Sequence, residues 1–301
     1  MRLNLPRLLA IASLVVTCAV SASPLSIVTT IKPLALIVND IAGDKANVDV
    51  LLPSNASPHD YALKPSDIKK LKTADMVVWV GPELELFLEK MLLTQKSALQ
   101  LTNYEGMPVM YYGDEEGHDD HDAHHGHDHS GVDGHIWLGP EQSKVIATAV
   151  LEDLSQKDPK NAAEYKNNYD KFVAEVSQTQ QALTDDFASI ENKGYFLFHD
   201  AYGYFESAFG LSPTGHFTVD PERKPGARTL VTIRTTLQNK EAQCVFTEPQ
   251  FNPSLIKSVT KGTGVKLVEL DPMAQDIDLA TQGYKDFLLS LGSSYLACFQ
   301  H

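Results

Sequence analysis

Short apolar runs separated by helical patterns occur in two series along this chain, and that alternation restricts the fold more than any other feature. Ser26 to Ile31 (SIVTTI), Val48 to Leu52 (VDVLL) and Met76 to Val80 (MVVWV) predict three strands. Helical patterns lie around Leu34–Ala42 and Pro65–Lys72, with Ser66 the expected N-cap of the second. The pattern returns in YFLF at 195–198, QCVF at 243–246 and KLVEL at 266–270, spaced by helical segments at 202–209, 229–239 and 253–262. Strand–helix–strand alternation is the signature of parallel βαβ construction. The expected class is α/β: two lobes, each a mostly parallel sheet flanked by helices. No sequence repeat accompanies the repeated architecture.

Between the two series lies one long helical pattern. Asp158 caps it and Pro159 takes the favoured first position. Apolar residues follow at Tyr165, Tyr169, Phe172, Val173, Val176, Leu183, Phe187 and Ile190, in steps that keep one helical face. Gly194 suits the position after its end. Such a helix, about 50 Å long at 1.5 Å per residue, would join the lobes stiffly and permit only a small hinge motion. Two shorter helices broken near Thr184 are the competing arrangement. The expected domains are therefore residues 23–157 for the first lobe, 158–192 for the linking helix and 193–301 for the second lobe.

The first 22 residues read as a signal peptide. Arg2 and Arg7 form a basic start, Leu8 to Val20 is apolar but for Ser13 and Thr17, and Val20-Ser21-Ala22 is a small-residue cleavage site, so the mature chain starts at Ser23. The apolar run falls short of the roughly 20 residues that span a bilayer. A buried N-terminal helix would not need the three regions in this order. The residues before Cys18, Val15-Val16-Thr17, match a lipoprotein signal poorly. Export to the periplasm as a soluble chain is the expectation. Of three cysteines, Cys244 and Cys298 then remain, and in an oxidising compartment an isolated pair is a disulfide by default. Closing that loop is worth roughly 4 kcal/mol on the chain-entropy account. Two buried free thiols are the alternative.

Charge narrows the partners. The chain carries 25 Lys+Arg against 39 Asp+Glu, a net −14. A nucleic-acid binder needs a basic face, so that class is set aside; an acidic balance suits a protein that handles cations. The acid is concentrated in residues 113–134, GDEEGHDDHDAHHGHDHSGVDG, where Asp114, Glu115, Glu116, Asp119, Asp120, Asp122, Asp128 and Asp133 meet no Lys or Arg. This stretch has no apolar periodicity and predicts a disordered loop. It also holds His118, His121, His124, His125, His127 and His129. His tracts interleaved with Asp bind borderline divalent cations such as zinc, copper and nickel. A solvated or pH-sensitive acidic linker is the plainer alternative. A loop without fixed geometry offers many weak sites, so it would be a collector and not the selective site.

A selective site needs ligands on rigid elements. In open α/β sheets ligands bind beyond the carboxyl ends of the strands. His59 lies in the loop LPSNASPHDY after the second strand, His199 directly after YFLF, Asp271 directly after KLVEL, and His135 directly after the His-rich stretch in GHIWLGP. Each alone is more simply a hydrogen-bonded loop residue; together they make an N3O metal site plausible, although no local zinc-motif spacing links them. Three His plus water is also a catalytic arrangement, so a zinc-dependent hydrolytic enzyme is the alternative from a different class. Neither HExxH nor GxSxG occurs to support it. His216 could contribute to a second metal site near the mouth with the His-rich stretch, but a surface-loop imidazole is the plainer reading; Glu206, Trp79 and Trp137 read as an exposed or capping carboxylate and two core indoles.

The segments ASPHDYALKPSD at 56–67, ADMVVWVGPELE at 74–85, GHIWLGP at 134–140, FLFHDAYGYFE at 196–206 and LDP at 270–272 resemble the cluster A-I metal-binding lipoprotein/adhesin family of periplasmic binding proteins, in its zinc-uptake (ZnuA-type) members. The resemblance covers essentially the whole mature chain. It implies two α/β lobes joined by a backbone helix, metal buried between them, and delivery to an inner-membrane ABC importer. The chain is expected to be a monomer that carries Zn2+ and is not an enzyme; a Mn2+-binding member of the same family is a further alternative. Carried over residue by residue, the resemblance implies that His59, His135 and His199 are the imidazole ligands and that Asp271 holds the carboxylate position, which in zinc members binds directly or yields to water. Manganese members resemble this chain but place a carboxylate at position 199; imidazole there favours zinc over Mn2+. Two departures are Pro58, where some zinc members carry Glu, and Gly139-Pro140, where Asp-Pro is usual.

Overall fold

The computed structural model describes residues 24–112, 131–188, 190 and 194–300. The expected signal peptide, the six histidines of residues 118–129 and His301 lie outside the described residues. The first half contains β1 (Leu25–Thr29), α1 (Lys32–Ala42), β2 (Ala46–Val50), α2 (Pro65–Thr73), β3 (Met76–Trp79), α3 (Glu89–Leu92) and β4 (Ala98–Gln100). Two long helices follow, α4 (Pro140–Lys157) and α5 (Ala162–Ala188). The second half contains β5 (Tyr195–His199), α6 (Gly203–Phe209), β6 (Gly215–Thr218), α7 (Ala227–Gln238), β7 (Cys244–Thr247), α8 (Ser254–Thr260), β8 (Lys266–Glu269) and α9 (Tyr284–Phe299).

The two sheets have matching topology, β2-β1-β3-β4 and β6-β5-β7-β8, and every pairing within them is parallel. The α/β class with two sheets is as expected. In each sheet the chain winds outward from a central strand and then reverses, which leaves a crevice beyond the carboxyl ends of the central strands. β5 shows how a strand serves two layers. Successive side chains point to opposite faces: Tyr195 and Leu197 enter a core that includes residues of both lobes, whereas Phe196 and Phe198 enter a smaller core under α7 and α8.

The linking helix follows its apolar stripe. Tyr165, Phe172, Val176, Leu183 and Phe187 are buried along α5, and Tyr169 and Val173 pack beside them. Asp158 sets its start by accepting hydrogen bonds from Asn161 Nδ2 at 2.7 Å and Tyr165 Oη at 2.8 Å, with Pro159–Asn161 forming a single 3-10 turn ahead of the helix. No break occurs at Thr184, whose hydroxyl bonds the Gln180 carbonyl within the helix. The N-cap of α2 is Lys64, not Ser66, because Pro65 takes the first helical position and the Asp67 carboxylate reaches back to the Lys64 N–H at 2.9 Å.

The second lobe is tied together covalently and to the first by polar contacts. Cys244 and Cys298 form the expected disulfide, joining the start of β7 to the end of α9. Asp40 on α1 accepts the Tyr284 N–H at 2.9 Å and so caps α9 from the other lobe. A Cβ at position 283 would fall 2.5 Å from the Asp40 carboxylate, so a side chain there would displace Asp40 from this approach. The Tyr284 hydroxyl donates to the Trp137 carbonyl and the Trp137 indole to the Pro272 carbonyl, both at 2.8 Å.

Candidate metal centre

Three different places in the fold deliver the imidazoles to the crevice. His59 follows β2, His199 ends β5, and His135 opens the 3-10 turn Ile136–Leu138 that leads into α4. Both flanks of residues 113–130 are pinned immediately beside His135. Tyr111 and Val132 form an antiparallel bridge, Tyr112 N–H donates to the Gly131 carbonyl, and Asp133 N–H donates to the Met110 carbonyl. The expected loop of 113–134 therefore has an ordered end: residues 131–134 belong to the wall of the site.

The three imidazoles converge. His135 Nε2 lies 3.2 Å from His59 Nε2 and 3.5 Å from His199 Nε2, and one ring nitrogen from each of the three sits within 4.8 Å of the others. Zinc bound to imidazole nitrogens at about 2.0–2.1 Å in a tetrahedron would set those nitrogens roughly 3.3–3.4 Å apart. The observed spacings bracket that value. His135 and His199 are each 2% exposed, while His59 is half-buried at the edge. Burial, and then the neighbouring His135 and His199, hold the His59 imidazole well below its ordinary pKa. A neutral ring is the form that binds metal.

Two carboxylates orient the rings. Asp133 Oδ1 lies 2.7 Å from His135 Nδ1 and also accepts the His135 N–H and the Tyr112 hydroxyl. Glu248, immediately after β7, places Oε1 2.7 Å from His199 Nδ1. A carboxylate against Nδ1 keeps the proton there and turns the Nε2 lone pair toward the metal. These partners are themselves buried, Asp133 at 5% exposure and Glu248 at 4%. From the sequence, Asp133 is only one of eight acids in its stretch, and nothing singles out Glu248.

Asp271 is placed differently. It stands at the crevice after β8, but its oxygens are engaged by Gln250 Nε2 at 2.8 Å, by Met273 N–H at 3.0 Å and by Gln275 N–H. The three-histidine group does not include it. The small cavity at the cluster, about 10 Å3, is also lined by Pro58, Gln250, Phe251 and Met273. That is about the space of one water.

The other sequence candidates resolve as follows. Trp79 and Trp137 are core residues at 1% exposure, and the Trp137 ring is 5.3 Å from that of His135. Glu206 is not exposed but buried, because Tyr195 and Tyr295 donate their hydroxyls to it at 2.6 and 3.3 Å. His216 is not in a loop; it lies on β6, paired opposite Leu197.

Two parallel-sheet lobes around a buried three-imidazole seat define a crevice-type metal-binding protein. The family model for the periplasmic component A of the zinc-uptake complex, ZnuA, matches residues 27–293, and the chain belongs to that family. The high-affinity zinc uptake system protein ZnuA of Yersinia pestis is 41% identical over 290 residues, covering 91% of each chain. Its counterpart in Haemophilus ducreyi is 40% identical over 314 residues, covering 96% of this chain and 97% of that one. Among solved structures, a crystal structure of ZnuA superposes with a TM-score of 0.77 at 24% identity, covering 92% of this chain and all of that one. The laminin-binding protein Lmb of Streptococcus agalactiae does so with 0.78 at 22% identity. At those identities the superpositions speak for the fold alone.

Proposed function

We propose that this chain captures Zn2+ in the periplasm on His59, His135 and His199 and hands it to the inner-membrane permease of an ABC importer. The observation that carries this reading is the convergence of three imidazoles, with His135 Nε2 3.2 and 3.5 Å from the Nε2 atoms of His59 and His199 and two of the rings turned inward by buried carboxylates. A water completes the tetrahedron, since Asp271 is engaged elsewhere. Zinc is the cargo. An all-imidazole first sphere favours it over Mn2+, which prefers carboxylate and water. The single-water cavity supports capture over hydrolysis of a larger substrate. Export by residues 1–22 fits a family described as periplasmic, and no helix among the described residues is long and apolar enough to cross a membrane. The monomer is the transport unit. The segment with His118, His121, His124, His125, His127 and His129, whose described flanks meet beside His135, serves as a collector.

Competition titration of the mature chain against a chromophoric zinc chelator, with His59→Ala, His135→Ala and His199→Ala in parallel, tests the reading. One tight site weakened by every substitution is expected. Tight binding that survives all three would refute it.

A further inference from the structure

The loop that carries His59 runs from the end of β2 to Pro65; Leu51 and Leu52 N–H hold its start to the Thr29 and Thr30 carbonyls, and the Tyr61 hydroxyl and Lys64 N–H hold its end to Asp67, but between them its own ties are few. Ala56 N–H donates to the Pro53 carbonyl, and His59 N–H donates to the Ser57 hydroxyl at 3.2 Å. Among the described residues one hydrogen bond joins this loop to the second lobe, from Gln250 Nε2 to the Ser54 carbonyl at 3.1 Å. The same nitrogen donates to Asp271 Oδ1 at 2.8 Å. Both partners are acceptors only, so the amide must present its two N–H groups to them and turn Oε1 away. That oxygen is buried with no partner among the described residues, and Gln250 lines the cavity with the three histidines. Asp271 is a fixed post: it takes Met273 N–H and Gln275 N–H, and the Gln275 carbonyl accepts Lys32 Nζ at 2.9 Å.

We propose that Gln250 is a positioning residue that clasps the His59 loop across the crevice to Asp271 and thereby sets how fast the metal leaves. This rests on the zinc-capture reading above. His59 is the least buried of the three ligands, so departure of the cargo requires its loop to lift. Lifting it breaks the Ser54 bond and leaves the Gln250 amide with one partner. Asp271 thus acts through Gln250 and not on the metal.

The test uses the full mature chain loaded with one equivalent of zinc and mixed with excess chelator. Gln250→Glu keeps the size but removes both donors and sets a carboxylate against two oxygens; Gln250→Leu removes them without adding charge. Release should accelerate about 10-fold or more in both, the range for lost supporting contacts, with association changed by less than about twofold. Amide exchange of residues 54–60 should quicken in both metal-free variants. A purely structural role would not single out that loop. If Gln250→Glu fails to fold, Gln250→Leu decides. Release at the parent rate, or faster release without faster exchange at 54–60, overturns the proposal. A parent chain with no tight zinc site would sink the capture reading instead, and the exchange of the metal-free proteins would still decide the clasp.

Discussion

Asp133 and Glu248 each hold one ring nitrogen of a histidine, and the direction of the other nitrogen follows from that. Asp133→Ala or Glu248→Ala should lower zinc affinity about 10–100-fold, as loss of an orienting carboxylate does elsewhere, while the metal-free chain keeps its far-ultraviolet circular dichroism. Unchanged affinity would mean that packing alone orients the rings. The three histidines were legible because strand ends, the HIWL and FHDAYGYFE segments and an imidazole at 199 marked them. Their partners were not. Asp133 stood in a run of acids that looked uniformly solvated. Glu248 lies 49 residues from His199, a separation with no local pattern, so only folding brings them together. Glu206 misled for a related reason: the tyrosines that bury it come from β5 and α9.

At the scale of elements, the meeting of α1 and α9 carries a testable charge. Burial, opposed by the Tyr284 N–H, pushes Asp40 up to about 6 from 3.8. An acid whose pKa is raised on folding binds its proton more tightly in the native state, so stability from this group is fully present below about pH 4 and is lost as pH rises through about 6. Asp40→Asn keeps an acceptor for the Tyr284 N–H and removes the buried charge. It should stabilise the metal-free protein by about 1–2 kcal/mol at pH 7.5, with the gain fading near pH 4. Denaturant titrations at the two pH values check this; equal gains at both would refute the assignment. The disulfide bond offers a second test. Cys244→Ser with Cys298→Ser should lose up to roughly 4 kcal/mol on the chain-entropy account, yet retain zinc binding, because the bond lies at the end of β7 away from Glu248. Most strands and the linking helix were legible from apolar runs and one unbroken stripe. β4 and β6 were not, since ALQ and GHFT become strands only by pairing at a sheet edge. α4 escaped notice because its buried face mixes small residues, Ser143, Ala147 and Ala149, with Ile146, Val150 and Leu154. α9 is apolar on most sides and so lacks a contrasting stripe.

Across the whole molecule, one core runs from Ile27 and Trp79 of the first lobe through α5 to Phe246 and Tyr295 of the second. Lobes that share a core and exchange hydrogen bonds at Asp40, Trp137 and Tyr284 should unfold together, and calorimetry of the metal-free chain should show one transition. Two resolved transitions would mean that the lobes are separable. A shared core also limits hinge opening, which is why cargo exchange falls to the His59 loop. The interior seat, and not the acidic His-rich segment, must then account for tight binding. The direct check is competition titration of Zn2+ and Mn2+ on the mature chain lacking residues 115–130, beside the same chain with His199→Ala. The account predicts one tight zinc site, weak manganese binding and collapse of zinc affinity on His199→Ala. Tight binding that disappears with residues 115–130, or a preference for manganese, would contradict it.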